Sequence, residues 1–150
     1  MVEGQTGSFG TALASAAPSR LSAERCRCLL SGAIAGYLAL SQGALPTVVP
    51  VSCALDGDGL LVRAGPDLVG RVPLQPGIVA FGTTMTSLDE SSRWEVLVRG
   101  RAEVEPGARN REIPPPLSHV DAGSTTVLRI SLELLTGWQY DSSLGRRRSS

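Results

Sequence analysis

Lysine is absent from this chain, and all 14 basic residues are arginine. That removes Schiff-base chemistry and any lysine clamp on phosphate, and it leaves every cationic task to guanidinium groups. Histidine occurs once, at His119 in a proline-rich stretch, so no catalytic triad and no imidazole cluster for a metal can be drawn from it. Cysteine is scarce as well, with only Cys26, Cys28 and Cys53. An odd number, in a chain without a secretory apolar segment, argues against a disulfide framework and for a reducing, cytosolic compartment. Cys26 and Cys28 are two apart, which on a helix turns them about 200° from one another. They read as small apolar helix residues, and Cys53 reads as a buried strand residue. Neither sign of charge is in excess, because Asp and Glu also number 14, so nothing pulls the chain onto nucleic acid. Long apolar runs are missing too. Gly, Ser, Gln and Pro interrupt the most apolar region, residues 29–51, well short of the roughly 18 consecutive apolar residues that a spanning helix needs. No membrane partner is expected.

What remains is the composition of one globular domain. A chain of 150 residues, 42% of them hydrophobic, can bury on the order of 70% of the surface its unfolded form exposes, so a core needs no staple. Residues 1–20 are rich in Gly, Ser, Thr and Ala without apolar period and are expected to be loosely attached, with structure starting at Leu21; residues 142–150, an arginine-rich tail, are expected to be disordered. The domain is predicted over 21–141. Ser22 is placed to cap a helix over 23–30, with Gly32 to end it. Strands are predicted over 36–40, 47–55 and 60–64, the last two joined by the turn Asp56-Gly57-Asp58-Gly59. Further strands are expected over 78–84, 94–105 and 125–132, with a short closing strand or turn over 137–140.

The most telling segment is WEVLVRGRAEV, residues 94–104. Val96, Val98 and Ala102 alternate with Arg99, Arg101 and Glu103, which places the apolar set on one face of a half-buried strand and the charged set on the other. Gly100 falls on the apolar face, where it leaves room for a close neighbour. The polar loop over 86–93 carries Asp89 and Glu90, which read as solvated carboxylates, and residues 106–121 hold too much proline for helix or strand. Six or so mostly antiparallel strands with one leading helix favour a small closed barrel.

The order of elements and several strings, LSAERCRCLL (21–30), LPTVVPVSCALDGDGLLVRAGP (45–66), VAF (79–81), WEVLVRGRAEV and VLRISLELLTGWQY (127–140), resemble the flavin-binding split barrels related to pyridoxamine 5'-phosphate oxidase, in their actinobacterial branch. The resemblance implies a mainly β split barrel with an N-terminal helix and short additional helical turns. It also implies a homodimer, and FMN or a deazaflavin in the cleft between subunits. The cofactor phosphate and ribityl chain would run along Pro50, Val51 and Ser52 on one strand and Arg63, Ala64 and Gly65 at the end of the next. Trp94 and Trp138 would approach the ring or the dimer seam, where a flat π surface can stack.

One departure stands against these matches. In similar proteins a Gly-Thr-Lys string follows the Gly-Pro turn and holds the phosphate, whereas here Asp67, Leu68 and Val69 follow, with Gly70 and Pro73 weakening any helix. Asp67 would repel a phosphate, and Arg71 is the charge placed to replace the lysine. Ser52 and Cys53 have no base evident in sequence, so nucleophilic catalysis is not expected. The reading is a flavin- or deazaflavin-dependent oxidoreductase acting on a small organic molecule. Its alternative is a barrel that has lost flavin and uses the cleft for another ligand or a cofactor-independent reaction.

Overall fold

The computed structural model describes residues 17–42, 45–65, 77–106, 113 and 126–142. In chain order these form β1 (Ser19–Arg20), α1 (Ala23–Ser31), β2 (Ala35–Gln42), β3 (Leu45–Asp56), β4 (Gly59–Ala64), β5 (Gly77–Thr86), β6 (Ser92–Val104), β7 (Thr126–Ser131) and β8 (Leu134–Asp141). Every pairing among the described strands is antiparallel. The strands lie in the order β1-β8-β6-β5-β2-β3-β4-β7, and a further pairing of β7 with β6 closes six of them into a barrel.

Closure depends on β6, whose 13 residues pair with β5 along one edge and with two partners in turn along the other. Its first part, Ser92 to Arg99, pairs with β8, and its last part, Ala102 to Val104, pairs with β7. Gly100 stands at the handover. A Cβ there would collide with the backbone oxygen of Ser131, and the Ser131 hydroxyl accepts from the Arg101 backbone N–H at 2.9 Å. The neighbour that the alternation left room for is therefore the end of β7.

The alternation itself sorts the barrel wall. Val96, Val98 and Ala102 are buried while Arg99, Arg101 and Glu103 are exposed. Phe81, Leu38, Val51, Cys53, Leu60, Val62, Leu128 and Ile130 complete the interior, and Cys26 and Leu30 of α1 join them. The helix lies against β8, β3 and β6. It begins as predicted, with the Ser22 side chain accepting from the Arg25 N–H at 3.1 Å. Ser22→Ala should cost about 1 kcal/mol in urea unfolding, the usual worth of an N-cap; an unchanged midpoint would mean that packing alone holds the helix.

Differences from the sequence reading are local. The first described strand, Ser19–Arg20, starts two residues earlier than the expected start at Leu21, because its residues pair with Gln139 and Trp138. The closing strand is longer, eight residues from Leu134 to Asp141, because the exposed half of β6 offers it a full ladder. Gly32 ends α1 from a right-handed conformation with φ −99°, not a left-handed cap, while Gly57 has the positive φ of 58° that the turn called for. Among the described residues α1 is the one helix, and the short additional helical turns are not among them. No described helix is long and apolar enough to cross a membrane. The expectations for residues 1–16, for 143–150, for the Asp67–Pro73 stretch including Arg71, and for His119 lie outside the described residues.

Candidate ligand site on the outer barrel wall

Strand alternation turns Tyr37, Pro50, Gly82 and Leu97 away from the core, and the registers Tyr37 to Pro50, Tyr37 to Gly82 and Gly82 to Leu97 set them in one row across β3, β2, β5 and β6. This row runs through a recess of about 440 Å³ that Ala35, Thr83, Thr84 and Glu95 also line, a volume within the range of small-molecule sites. The Thr83 hydroxyl donates to the Ala35 carbonyl at 2.8 Å and so fixes the start of β2 against β5. Around the recess the outer wall exposes apolar side chains, Tyr37, Val48, Ile78, Leu97 and Leu134, each between 46% and 62% accessible, with Arg99 and Arg101 among them as the register partners of Leu134 and Ile78.

Beside the recess lies a second feature. Ala35, which lines it, is the register partner of Ser52, and Ser52 is in turn the partner of Arg63 on β4. Ser52 is fully buried and Arg63 is only 8% exposed, the one buried charged side chain among the described residues. An arginine alternating out of a strand would ordinarily be solvated; this one is not. Its face of β4 is shared with Leu61, which packs with Ile113 and Val127 in a small cluster outside the barrel.

The residues implied by resemblance thus divide. Pro50 lines the recess, Ser52 and Arg63 face each other next to it, and Gly65 follows the end of β4. Val51 and Ala64 point into the core, so they offer a ligand only main-chain groups. Trp94 is on the opposite face of β6 from the recess, where its indole N–H donates to Gln139 Oε1 at 3.1 Å. Trp138 takes the outer face instead, as the partner of Glu95, with the Arg20 guanidinium 5.9 Å from its ring.

Three groups missed in the sequence complete this end of the wall. Tyr140 donates to Glu95 Oε2 at 3.3 Å, Arg93 approaches Glu95 Oε1 at 3.6 Å, and the Arg93 guanidinium lies 5.1 Å from the Tyr140 ring. The signal that could have exposed them is Leu97, an apolar residue on the charged side of β6.

Other candidate chemistry recedes. Burial pushes the Cys53 thiol up to about 11, which keeps it protonated at neutral pH. Asp89 is held down at about 2, first by the Ser91 hydroxyl, then by Ser87 and the Ser91 N–H; it ties the β5–β6 turn together, as a local loop carboxylate does. No group of three or more His, Cys, Asp or Glu that could hold a metal occurs among the described residues.

Comparison with solved structures places this architecture. A FAD-binding protein from Mesorhizobium loti superposes with a TM-score of 0.67 at 22% identity, over 85% of this chain and 99% of that one. The FAD-binding protein from Mycobacterium smegmatis gives 0.63 at 21%, over 82% and 98%. A Corynebacterium glutamicum protein provisionally named pyridoxamine 5'-phosphate oxidase gives 0.67 at 17%, over 84% and 95%. No protein-family model matches the chain, and no curated protein sequence does. At these identities the likeness is one of fold: the chain shares the split β-barrel fold of these proteins.

Proposed function

We propose that the protein binds a flavin-type cofactor on its outer wall and works as an oxidoreductase on a small organic molecule, in a cleft that a second copy of the chain completes. The observation that carries this reading is the buried Arg63, set opposite the buried Ser52 and next to an apolar recess. A guanidinium fork and a hydroxyl suit a phosphate, and an exposed apolar wall suits a flat ring. The residues present therefore fit the group, and proteins of the same fold from Mycobacterium and Mesorhizobium are named for binding FAD.

Bound flavin would supply hydride or electron exchange, and the chain's part is to hold, orient and shield it. Arg63 and Ser52 would hold the phosphate. Tyr37, Pro50 and Leu97 would form the apolar floor, and Thr84 and Glu95 would present polar groups at its far end. FMN or a deazaflavin is the cofactor that the sequence resemblance favours. Titration of the apoprotein with FMN, FAD and a deazaflavin, followed by fluorescence, tests the reading. Binding of none at high micromolar concentration would sink it, and a barrel that uses the recess for another ligand would take its place, in keeping with Asp67 where similar proteins carry a phosphate-binding string.

The wall's chemistry supports the second copy. Tyr37, Val48, Ile78, Leu97 and Leu134 are more exposed apolar area than one small barrel covers by itself, and a two-fold pairing of this face would bury it. Light scattering should give twice the chain mass at micromolar concentration, and Leu97→Asp should shift it toward the monomer. A monomer in the unmutated protein would remove the shared cleft.

A further inference from the structure

Three outward residues of β6 carry a pattern that a second copy completes. Glu95, Leu97 and Arg99 follow one another at the strand period of two, so they stand in line on the outer wall as an acid, an apolar side chain and a base. Such a line is complementary to itself. A two-fold axis through Leu97 exchanges its two ends, so that Leu97 meets Leu97 and each Glu95 faces an Arg99, the reciprocal contact that a two-fold interface requires. Both groups can take the partner. Arg99 has no ion-pair partner among the described residues. Glu95 accepts from Tyr140 and lies 3.6 Å from Arg93, but that ion pair joins side chains 53% and 37% exposed and is weak, and a carboxylate offers about four acceptor positions.

The same rotation engages a second recess of the wall. This one, of about 260 Å³, lies further along β2 and β5 and is lined by Ala39, Ser41, Pro46, Ile78, Ala80 and Arg99. Ala39, Ala80 and Arg99 form one row across β2, β5 and β6. On the other side of β6, Trp138 of β8 is the partner of Glu95 and Leu134 is the partner of Arg99. Turning a copy about Leu97 therefore carries its Trp138 toward the Ala80–Arg99 row, where small side chains leave space for a flat ring, and its Leu134 toward Thr84 and Glu95. Arg93 is set opposite Arg101 by this rotation, and it is drawn aside by Glu95 and by the Tyr140 ring, 5.1 Å away.

We infer that two copies pair antiparallel about Leu97, with Glu95 of each held by the partner's Arg99, so that the partner supplies a cation at the polar end of the first recess. The inference rests on the two-copy cleft proposed above and names the contact that fixes its register.

The test is a charge exchange, read by sedimentation of the full chain. Arg99→Glu and Glu95→Arg each set like charges opposite one another twice per dimer, so each variant alone should dissociate at about a hundredfold higher concentration than the unmutated protein. Mixed one to one, the two should reassociate, because each then brings the charge that the other needs at both positions. Recovery on mixing also shows that both variants are folded. Arg25→Glu, on the exposed side of α1, is the control and should leave the dimer intact. An equimolar mixture that stays monomeric, or single variants that pair as tightly as the unmutated protein, would overturn the inference. The two readings fail separately. A monomer in the unmutated protein refutes the second copy itself, whereas a dimer indifferent to both substitutions refutes only the axis at Leu97.

Discussion

Phe81→Ala should cost about 3–5 kcal/mol of stability, the usual range for deleting a buried aromatic ring. Phe81 is the largest of the fully buried side chains and sits in the middle of β5, where its neighbours cannot close in. On one side stands Gly36 of β2. A Cβ added there would meet both the Phe81 ring and the Gly82 carbonyl, so the glycine exists to admit the ring and has no side chain with which to fill its loss. On the others the barrel is held by ladders on both edges of β5, with β2 and with β6. A cavity left by the ring would therefore persist, and cavities that persist are the expensive ones. Gly36→Ala should not rescue the variant, because the Gly82 carbonyl obstructs it even after the ring has gone. Urea unfolding with a two-state fit reads both results. A loss below about 1 kcal/mol would show that the barrel collapses onto the gap, against the rigidity that closure by six strands implies.

The barrel was legible because strand alternation is a local signal. From Val98 to Ala102 the sequence writes inside and outside in turn, and the buried and exposed residues follow that order; Leu97, apolar and exposed, is the break in the pattern. The turn at Gly57 and the cap at Ser22 were legible for the same reason, since each is settled within four residues. Pairing across the barrel was not. Nothing in residues 134–136 announces that they extend β8, because the partner that makes them a strand is Leu97 to Arg99 in the middle of β6.

The site was legible only in part, and for a related reason. Ser52 and Arg63 lie eleven positions apart, and the hairpin register that sets them face to face follows from the Gly57 turn. Resemblance pointed at both residues; that Arg63 is buried is a fact of the folded wall, where β4 lies between β3 and β7, and no residue spacing announces it. Glu95, Tyr37 and Tyr140 belong to three strands remote in sequence, and no spacing links them. Trp94 illustrates the converse: a prominent residue one position from Glu95 turns to the opposite face, because the period of a strand is two.

Arg63 carries the other large expected effect. Its guanidinium is the one buried charge among the described residues, and a charge-assisted contact to phosphate is worth about 1.5–3 kcal/mol, so Arg63→Met should weaken binding of FMN or a deazaflavin by roughly ten- to a hundredfold. Methionine is chosen because it fills much of the same volume without polar atoms, which keeps the packing against Leu61 and Val127 and separates lost recognition from lost structure. Arg63→Lys should recover part of the affinity, since an ammonium keeps the charge but not the two-pronged geometry. Arg25→Ala, on the exposed side of α1, should change nothing. In sequence Arg71 lies two positions beyond the place where similar proteins hold the phosphate with lysine, and if it shares that task Arg71→Ala should cost as much as Arg63→Met. Fluorescence titration of the four variants supplies the numbers. Undiminished binding in Arg63→Met, with the fold intact by circular dichroism, would move the phosphate away from β4 and leave Arg63 as a structural cation of the outer wall.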